Sequence, residues 1–396
     1  MPTEKRRIVL LGATGYTGQR VLRELLARGE APTLVGRSRS KMLALADRFE
    51  ADLPVAEVDV TSTADLARLL HRSDVILSAV GPFMQLGIAT VMAAAQAGAH
   101  YLDSTGEGSF VRRVFELDSV AAARGATVVP AFGYDYVPGN LAGALALTRA
   151  GERARRIEIG YFLTRSGRGD ELRYRSTLRD AFTLTTGGTR ATLVGAAADD
   201  AFAYRRPRPG SPGVLIDERA GKRLRAFHYA GVRRSAMTVG GSEHLGLPEA
   251  FPHLDSVDVY LGWLGRATRP TQIIAALNAP LLRWSKARAT ITRLSQRLPG
   301  SEREPDSDGR SLVIAVARDA SGAPLATTAL TGPDPYEMTA SLMAWGATQA
   351  AAPDAALMPG VHGPVAALGL DALRHGAAES GLHEVAGPSS PIEVSA

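Results

Sequence analysis

The sequence predicts an α/β protein: a doubly wound parallel sheet near the N-terminus, then a second, α+β unit built on a mainly antiparallel sheet. Three observations carry this expectation. Short apolar runs alternate with amphipathic helical stretches from Ile8 to Leu147. The first run ends in glycines at positions 12, 15 and 18. Beyond Ala150 the pattern changes to longer strands of alternating polarity.

The first run, Ile8-Val-Leu-Leu11, reads as a buried parallel strand leading into Gly12-Ala-Thr-Gly-Tyr-Thr-Gly18. Gly12 allows the chain to leave the strand sharply, and Gly15 keeps a Cβ away from an approaching phosphate. Gly18 lets the next helix pack closely on the sheet. That helix should begin near Tyr16 and bury Val21, Leu22, Leu25 and Leu26, its positive end directed at a diphosphate beside Thr14, Tyr16 and Thr17. The spacing is G-x-x-G-x-x-G rather than G-x-G-x-x-G. Taken alone it fits a tight strand-to-helix turn as well as a dinucleotide site.

The second strand, Thr33-Leu-Val-Gly36, is followed by Arg37-Ser38-Arg39-Ser40-Lys41, where an NAD site would place an acidic residue for the ribose 2′-hydroxyl. Arginine cannot accept that hydrogen bond. Its planar fork suits a 2′-phosphate, with Ser38 and Lys41 completing the pocket, so the expected cofactor is NADP(H); a solvated basic turn opening the next helix is the competing reading.

A third strand is expected at Val55–Val60, with Asp59 either touching the adenine or acting as an ordinary turn residue. The fourth, Asp74–Val80, runs into Gly81-Pro82-Phe83 ahead of a helix from about Gly87. Ligands of open α/β sheets lie at the carboxyl ends of the strands, so Ser78, Ala79, Val80, Gly81 and Pro82 should border the cofactor. Strand five, His100–Asp103, enters the polar turn Ser104–Gly108, and strand six, Thr127–Phe132, enters Gly133–Asn140. Asp103, Glu107, Tyr134 and Asp135 thereby reach the nicotinamide end, although Asp103 and Ser104 could equally cap the following helix. Six strands with intervening helices make a Rossmann-type sheet.

In the second domain, strands are expected at Ile157–Leu163, Leu224–Tyr229 and Val257–Trp263, with a hairpin of Leu312–Arg318 and Leu325–Leu330. Thr185–Thr189 opens a helix that would accept an anion if it faced a cleft. Arg165, Arg168, Arg173, Arg175, Arg179 and Arg190 crowd the same region, where one or two could hold a carboxylate or a carrier phosphate. Residues 271–297 read as an amphipathic helix, packed on its own domain or resting on a membrane surface, and 298–309 as an exposed loop. Asp334-Pro-Tyr-Glu337 is a strong helix start, with the helix running to about Ala351.

Composition narrows the function. The net charge of +5 is diffuse, with no basic stripe interleaved with aromatics, so nucleic acid is not an expected partner. The absence of cysteine excludes disulfides, Cys-ligated zinc and thiolate nucleophiles, and no metal site is expected. No signal-peptide core or membrane-length apolar run is seen, so the cytoplasm is the expected compartment.

The motifs Gly12–Gly18, Gly36-Arg-Ser38, Val80-Gly-Pro-Phe83 with Gly87, Tyr101–Glu107, and Gly133-Tyr-Asp135 with Pro138 carry a family resemblance. The chain resembles the saccharopine dehydrogenase-like NADP-binding oxidoreductases, and within them the branch containing the bacterial trans-acting enoyl reductases. The resemblance is strong over residues 8–148 and weaker at Gly187–Thr189, Asp334–Tyr336 and Gly360–Pro364. It implies an NADP-binding domain at 1–138, a substrate and dimerisation domain at 139–333, C-terminal helices at 334–384 that return to the first domain, and a homodimer. A disordered tail is expected from 385. The substrate stays open: a C=N bond as in lysine-pathway members, or a C=C bond on a lipid or polyketide chain, small or carrier-bound.

Reduction by NADPH needs a proton donor beside the hydride acceptor. Tyr134, Asp135, Asp103 and Glu107 are the candidates; tyrosine is neutral at pH 7, whereas a carboxyl needs burial to stay protonated. The alternative is a non-catalytic NADP(H)-binding sensor or scaffold.

Overall fold

The computed structural model describes residues 5–166, 172–174, 200–208, 210–264, 268–270, 272–273, 309–385 and 393–395. The Thr185–Thr189 helix start, Arg168, Arg175, Arg179, Arg190, nearly all of the 271–297 stretch and the 298–308 loop lie outside these residues. The chain forms two compact units: Met1–Gly106, Phe110–Val137 and Pro335–Ser380 make the first, and Glu107–Ser109, Pro138–Asp334 and Gly381–Ala396 the second.

The first unit is the expected doubly wound sheet. Its strands are β1 (Ile8–Leu11), β2 (Thr33–Gly36), β3 (Val55–Glu57), β4 (Val75–Ser78), β5 (His100–Asp103) and β6 (Thr127–Val129). All pairings are parallel, in the order β6-β5-β4-β1-β2-β3. A seventh strand, Gly360–Val361, joins beyond β6; two residues are too few to show a periodic pattern. β1, β4 and β5 are buried at every residue, as a sheet covered on both faces requires. On one side α1 (Tyr16–Ala27) packs against the helix Pro335–Ala351, which also covers β4 and β5. On the other, Val9, Leu11, Ile76, Tyr101 and Val128 pack with side chains of α4 (Phe83–Ala97), α5 (Gly108–Phe115) and α6 (Asp118–Arg124).

Strand order reverses at β1, between β2 and β4, so the ligand crevice opens at their carboxyl ends. The register places Leu11 beside Ser78 and Ser78 beside Asp103, a row across the mouth of that crevice.

Several boundaries differ from expectation. β3 stops at Glu57 rather than Val60, because Asp59 turns the chain by accepting hydrogen bonds from Thr61. α4 starts at Phe83, not Gly87: Pro82 takes the N-cap place and its carbonyl accepts from Gln85 and Leu86. β6 ends at Val129, since the N–H groups of Ala131 and Phe132 bond to Asp103 instead of continuing the ladder. The following helix, α7 (Val137–Ala150), starts within the expected turn Gly133–Asn140.

The second unit carries the mixed, mainly antiparallel sheet. Its strands are β7 (Arg156–Ser166), β8 (Leu172–Tyr174), β9 (Asp200–Arg205), β10 (Val214–Arg219), β11 (Leu224–Tyr229), β12 (Val232–Thr238), β13 (Ser256–Leu261), β14 (Gly309–Arg318) and β15 (Pro324–Gly332). Only β7 with β13 is parallel among the described pairings. Phe162, Phe227, Tyr260, Leu312 and Ile314 form one core face. Arg165 and Arg173 stand opposite each other in β7 and β8. Glu393–Ser395 pairs antiparallel with β11 and packs Val394 on that core. Among the described residues no helix is long and apolar enough to cross a membrane.

Candidate functional site

The glycine turn is built as its spacing demands. Gly12 has φ +80°, and a Cβ there would stand 2.7 Å from Val80 Cγ2, so β1 and β4 close together at this point. A Cβ on Gly18 would lie 2.1 Å from the Gly12 carbonyl oxygen, which shows how closely α1 rests on the turn. α1 opens at Gly15 with no side-chain cap, while Thr14 and Gly15 are exposed. An uncapped helix start with exposed backbone at its mouth suits a diphosphate. Tyr16 and Thr17 are half-buried; the Tyr16 ring meets Tyr336 edge-on at 5.1 Å and carries the Arg20 guanidinium 3.7 Å from its centre.

At the end of β2 the side chains of Arg37 and Lys41 are exposed and make no salt bridge among the described residues. Ser38 caps α2 (Arg39–Arg48), its hydroxyl accepting from the Lys41 N–H at 3.4 Å. Arg39 is turned away onto β3, donating to the Val55 carbonyl at 3.1 Å. Two exposed cations without a salt bridge among the described residues fit the 2′-phosphate of NADP(H). Asp59 serves as a turn residue: Oδ1 accepts from the Thr61 N–H and hydroxyl at 2.9 and 2.8 Å. Those bonds, with the charge of Arg37, hold its carboxyl below the usual range.

The ends of β4 and β5 form the next stretch. Ser78 is fully buried, Ala79, Val80 and Pro82 are half-buried, and Gly81 is exposed. Asp103 is also fully buried, and Oδ1 accepts from the N–H groups of Thr105 and Ala131, both at 2.9 Å. This carboxylate therefore ties the loop after β5 to the loop after β6. Burial, with Asp103 beside it, pushes the Tyr101 phenol well above its ordinary pKa.

In the loop after β6, Tyr134 is only 2 % exposed and its N–H donates to Thr339 Oγ1 at 3.0 Å. Tyr136 Oη donates to the Gly106 carbonyl at 2.8 Å. Asp135 turns its carboxylate toward the same glycine, Oδ2 standing 2.6 Å from where a Gly106 Cβ would be. Burial pushes this carboxyl up to about 7. The first unit thus brings Asp103, Tyr134 and Asp135 onto two adjoining loops, whereas Glu107 belongs to the second unit, where it is nearly buried.

Sequence reasoning missed several participants. Thr339 sits on a helix more than 200 positions away, with no local signal; Gln19 and Arg48, which hydrogen-bond to each other, look like ordinary helix-surface residues. It also missed a buried polar set in the second unit. Tyr161 Oη donates to Glu243 Oε1 at 2.5 Å and accepts from the Gly139 N–H at 2.9 Å, while Asn140 Nδ2 donates to Ser242 Oγ at 2.9 Å. These bonds hold the start of α7 to the helix Glu243–Ala250. The described residues hold no group of three ligating side chains for a metal.

Residues 8–129 match the family model of the saccharopine dehydrogenase NADP binding domain, which bears out both the resemblance and the cofactor over this segment. Similar curated proteins include the trans-acting enoyl reductases of Mycobacterium ulcerans, 37% identical over 140 residues, and of Mycobacterium leprae, 37% identical over 150. The first match covers 34% of this chain and 34% of the relative, so it spans about a third of that protein. Among solved structures, the apo L-Glu-forming saccharopine dehydrogenase of Saccharomyces cerevisiae is similar with a TM-score of 0.56 and 14% identity, over 96% of this chain and 99% of that one. At that identity the likeness establishes the fold alone.

Proposed function

From the saccharopine dehydrogenase-type NADP-binding domain of residues 8–129, we propose that this chain is an NADPH-dependent reductase, acting on a C=C bond in preference to a C=N bond. The observation that carries the reductase reading is Asp135: a carboxyl that titrates near 7, at the carboxyl edge of the sheet, is still substantially protonated at neutral pH. NADPH, when bound, supplies the hydride. The turn of Gly12, Gly15 and Gly18 would hold the diphosphate on α1, and Arg37, Ser38 and Lys41 the 2′-phosphate.

Asp135 is the proposed proton donor, returning a proton to the atom beside the one that accepts hydride. Asp103 acts as a positioning residue, because its Oδ1 is committed to two backbone N–H groups that shape both loops. Tyr134 completes the proposed set within the first unit. The C=C preference rests on the N-terminal similarity to trans-acting enoyl reductases. An acyl chain on a small molecule or carrier is the proposed substrate, and a cytoplasmic homodimer the proposed form.

The test begins with nicotinamide fluorescence titrations of NADPH and NADH against wild type and Arg37→Ala. Losing a charge-assisted contact to the 2′-phosphate should weaken NADPH about tenfold or more and leave NADH unchanged. Enoyl thioesters and cyclic imines are then compared as acceptors. Turnover of a thioester that falls in Asp135→Asn at unchanged NADPH affinity supports the reading; binding without turnover of either class points to an NADP(H) sensor instead.

A further inference from the structure

We propose that Gln19 is the positioning residue of the phosphate-binding turn, the middle of a relay from Arg48 through Gln19 to the carbonyl of Thr14. The proposal rests on the NADP(H) reading of the turn. Arg48 Nη2 donates to Gln19 Oε1 at 2.6 Å, and Gln19 Nε2 donates to the Thr14 carbonyl at 2.9 Å. Arg48 determines which way the Gln19 amide faces, because a guanidinium has only donors and will pair with the oxygen end alone. The nitrogen end is thereby presented to Thr14.

The peptide between Thr14 and Gly15 is held at both ends. Its carbonyl is tied by Gln19 to the flank of α1, and its N–H, that of Gly15, donates to the Gly12 carbonyl at 3.0 Å. Thr14 and Gly15 are the exposed residues of the turn, and no side chain caps the helix behind them. An untied Thr14 carbonyl in such an exposed turn can rotate toward the anion, where its partial negative charge opposes the diphosphate. The relay prevents that rotation, and it anchors the turn to α2, the helix that carries the 2′-phosphate residues Ser38 and Lys41 at its other end.

The relay also links α1 to α2, so the test must separate positioning from a simple helix tie. Gln19→Glu does this: it keeps and charges the pair with Arg48 but cannot donate to the Thr14 carbonyl. NADPH dissociation constants and thermal midpoints are measured for wild type, Gln19→Ala, Gln19→Glu and Arg48→Ala. Gln19→Ala should weaken NADPH about fivefold, the worth of one ordinary hydrogen bond. Gln19→Glu should weaken it at least as much with an unchanged or higher thermal midpoint, and Arg48→Ala by about two- to threefold. Wild-type affinity in Gln19→Glu or Gln19→Ala would overturn the relay alone. If wild type binds neither NADPH nor NADH, the cofactor reading falls and the relay with it.

Discussion

Asp135→Asn should make this protein more stable at pH 8 and leave its stability at pH 4 almost unchanged. Burial holds the folded carboxyl near 7, against an ordinary value of 3.8. Below the ordinary value the group is protonated in both folded and unfolded chains, and burial costs nothing through it. As pH rises from there toward 7, the unfolded chain releases the proton while the folded chain keeps it. The unfolded state then binds fewer protons, so stability falls with rising pH. Above 7 the charge must be carried in place, and the full cost is about 4 kcal/mol, accumulated at about 1.4 kcal/mol per pH unit. Asp135 is partly exposed, and solvent screening brings the figure nearer to about 2 kcal/mol. Asparagine has no proton to release and no such pH dependence. Urea unfolding of both proteins at each pH from 4 to 8 gives the comparison directly; two parallel curves would refute the reasoning, because they would mean that Asp135 ionises in the folded chain as it does in water.

Two further substitutions probe the frame around the site. Gly18→Ala places a methyl 2.1 Å from the Gly12 carbonyl oxygen, so α1 must move off the turn; stability should fall by about 1–3 kcal/mol and NADPH binding should be lost, by denaturant melts and titration. Asp103→Ala leaves the buried N–H groups of Thr105 and Ala131 without their acceptor, at about 1–3 kcal/mol each, whereas Asp103→Asn keeps an oxygen for them and should cost much less. Differential scanning calorimetry of the pair checks this, and equal thermal midpoints for Ala and Asn would contradict it.

Much of the first unit was legible because its signals are local. β1, β2 and β5 have the bounds their apolar runs predict, and α1 begins at Tyr16. The glycine turn was readable for the same reason: its three glycines fall within seven positions. Strand ends were less legible. β6 stops early because of a bond from Ala131 to Asp103, a residue 28 positions away. The strand Gly360–Val361 exists only because β6 offers it an edge.

The sequence alone determined the alternation of strands and helices, the glycine turn and the run of basic residues after β2, since each depends on neighbours along the chain. Tertiary structure alone decided the chemistry around them. It set the half-buried Asp135 against Gly106, committed Asp103 to two loops, joined Tyr134 to Thr339 and set Gln19 between Arg48 and Thr14. Desolvation and hydrogen bonding act across space over a few ångströms, and residues that meet at that range can be hundreds of positions apart in sequence.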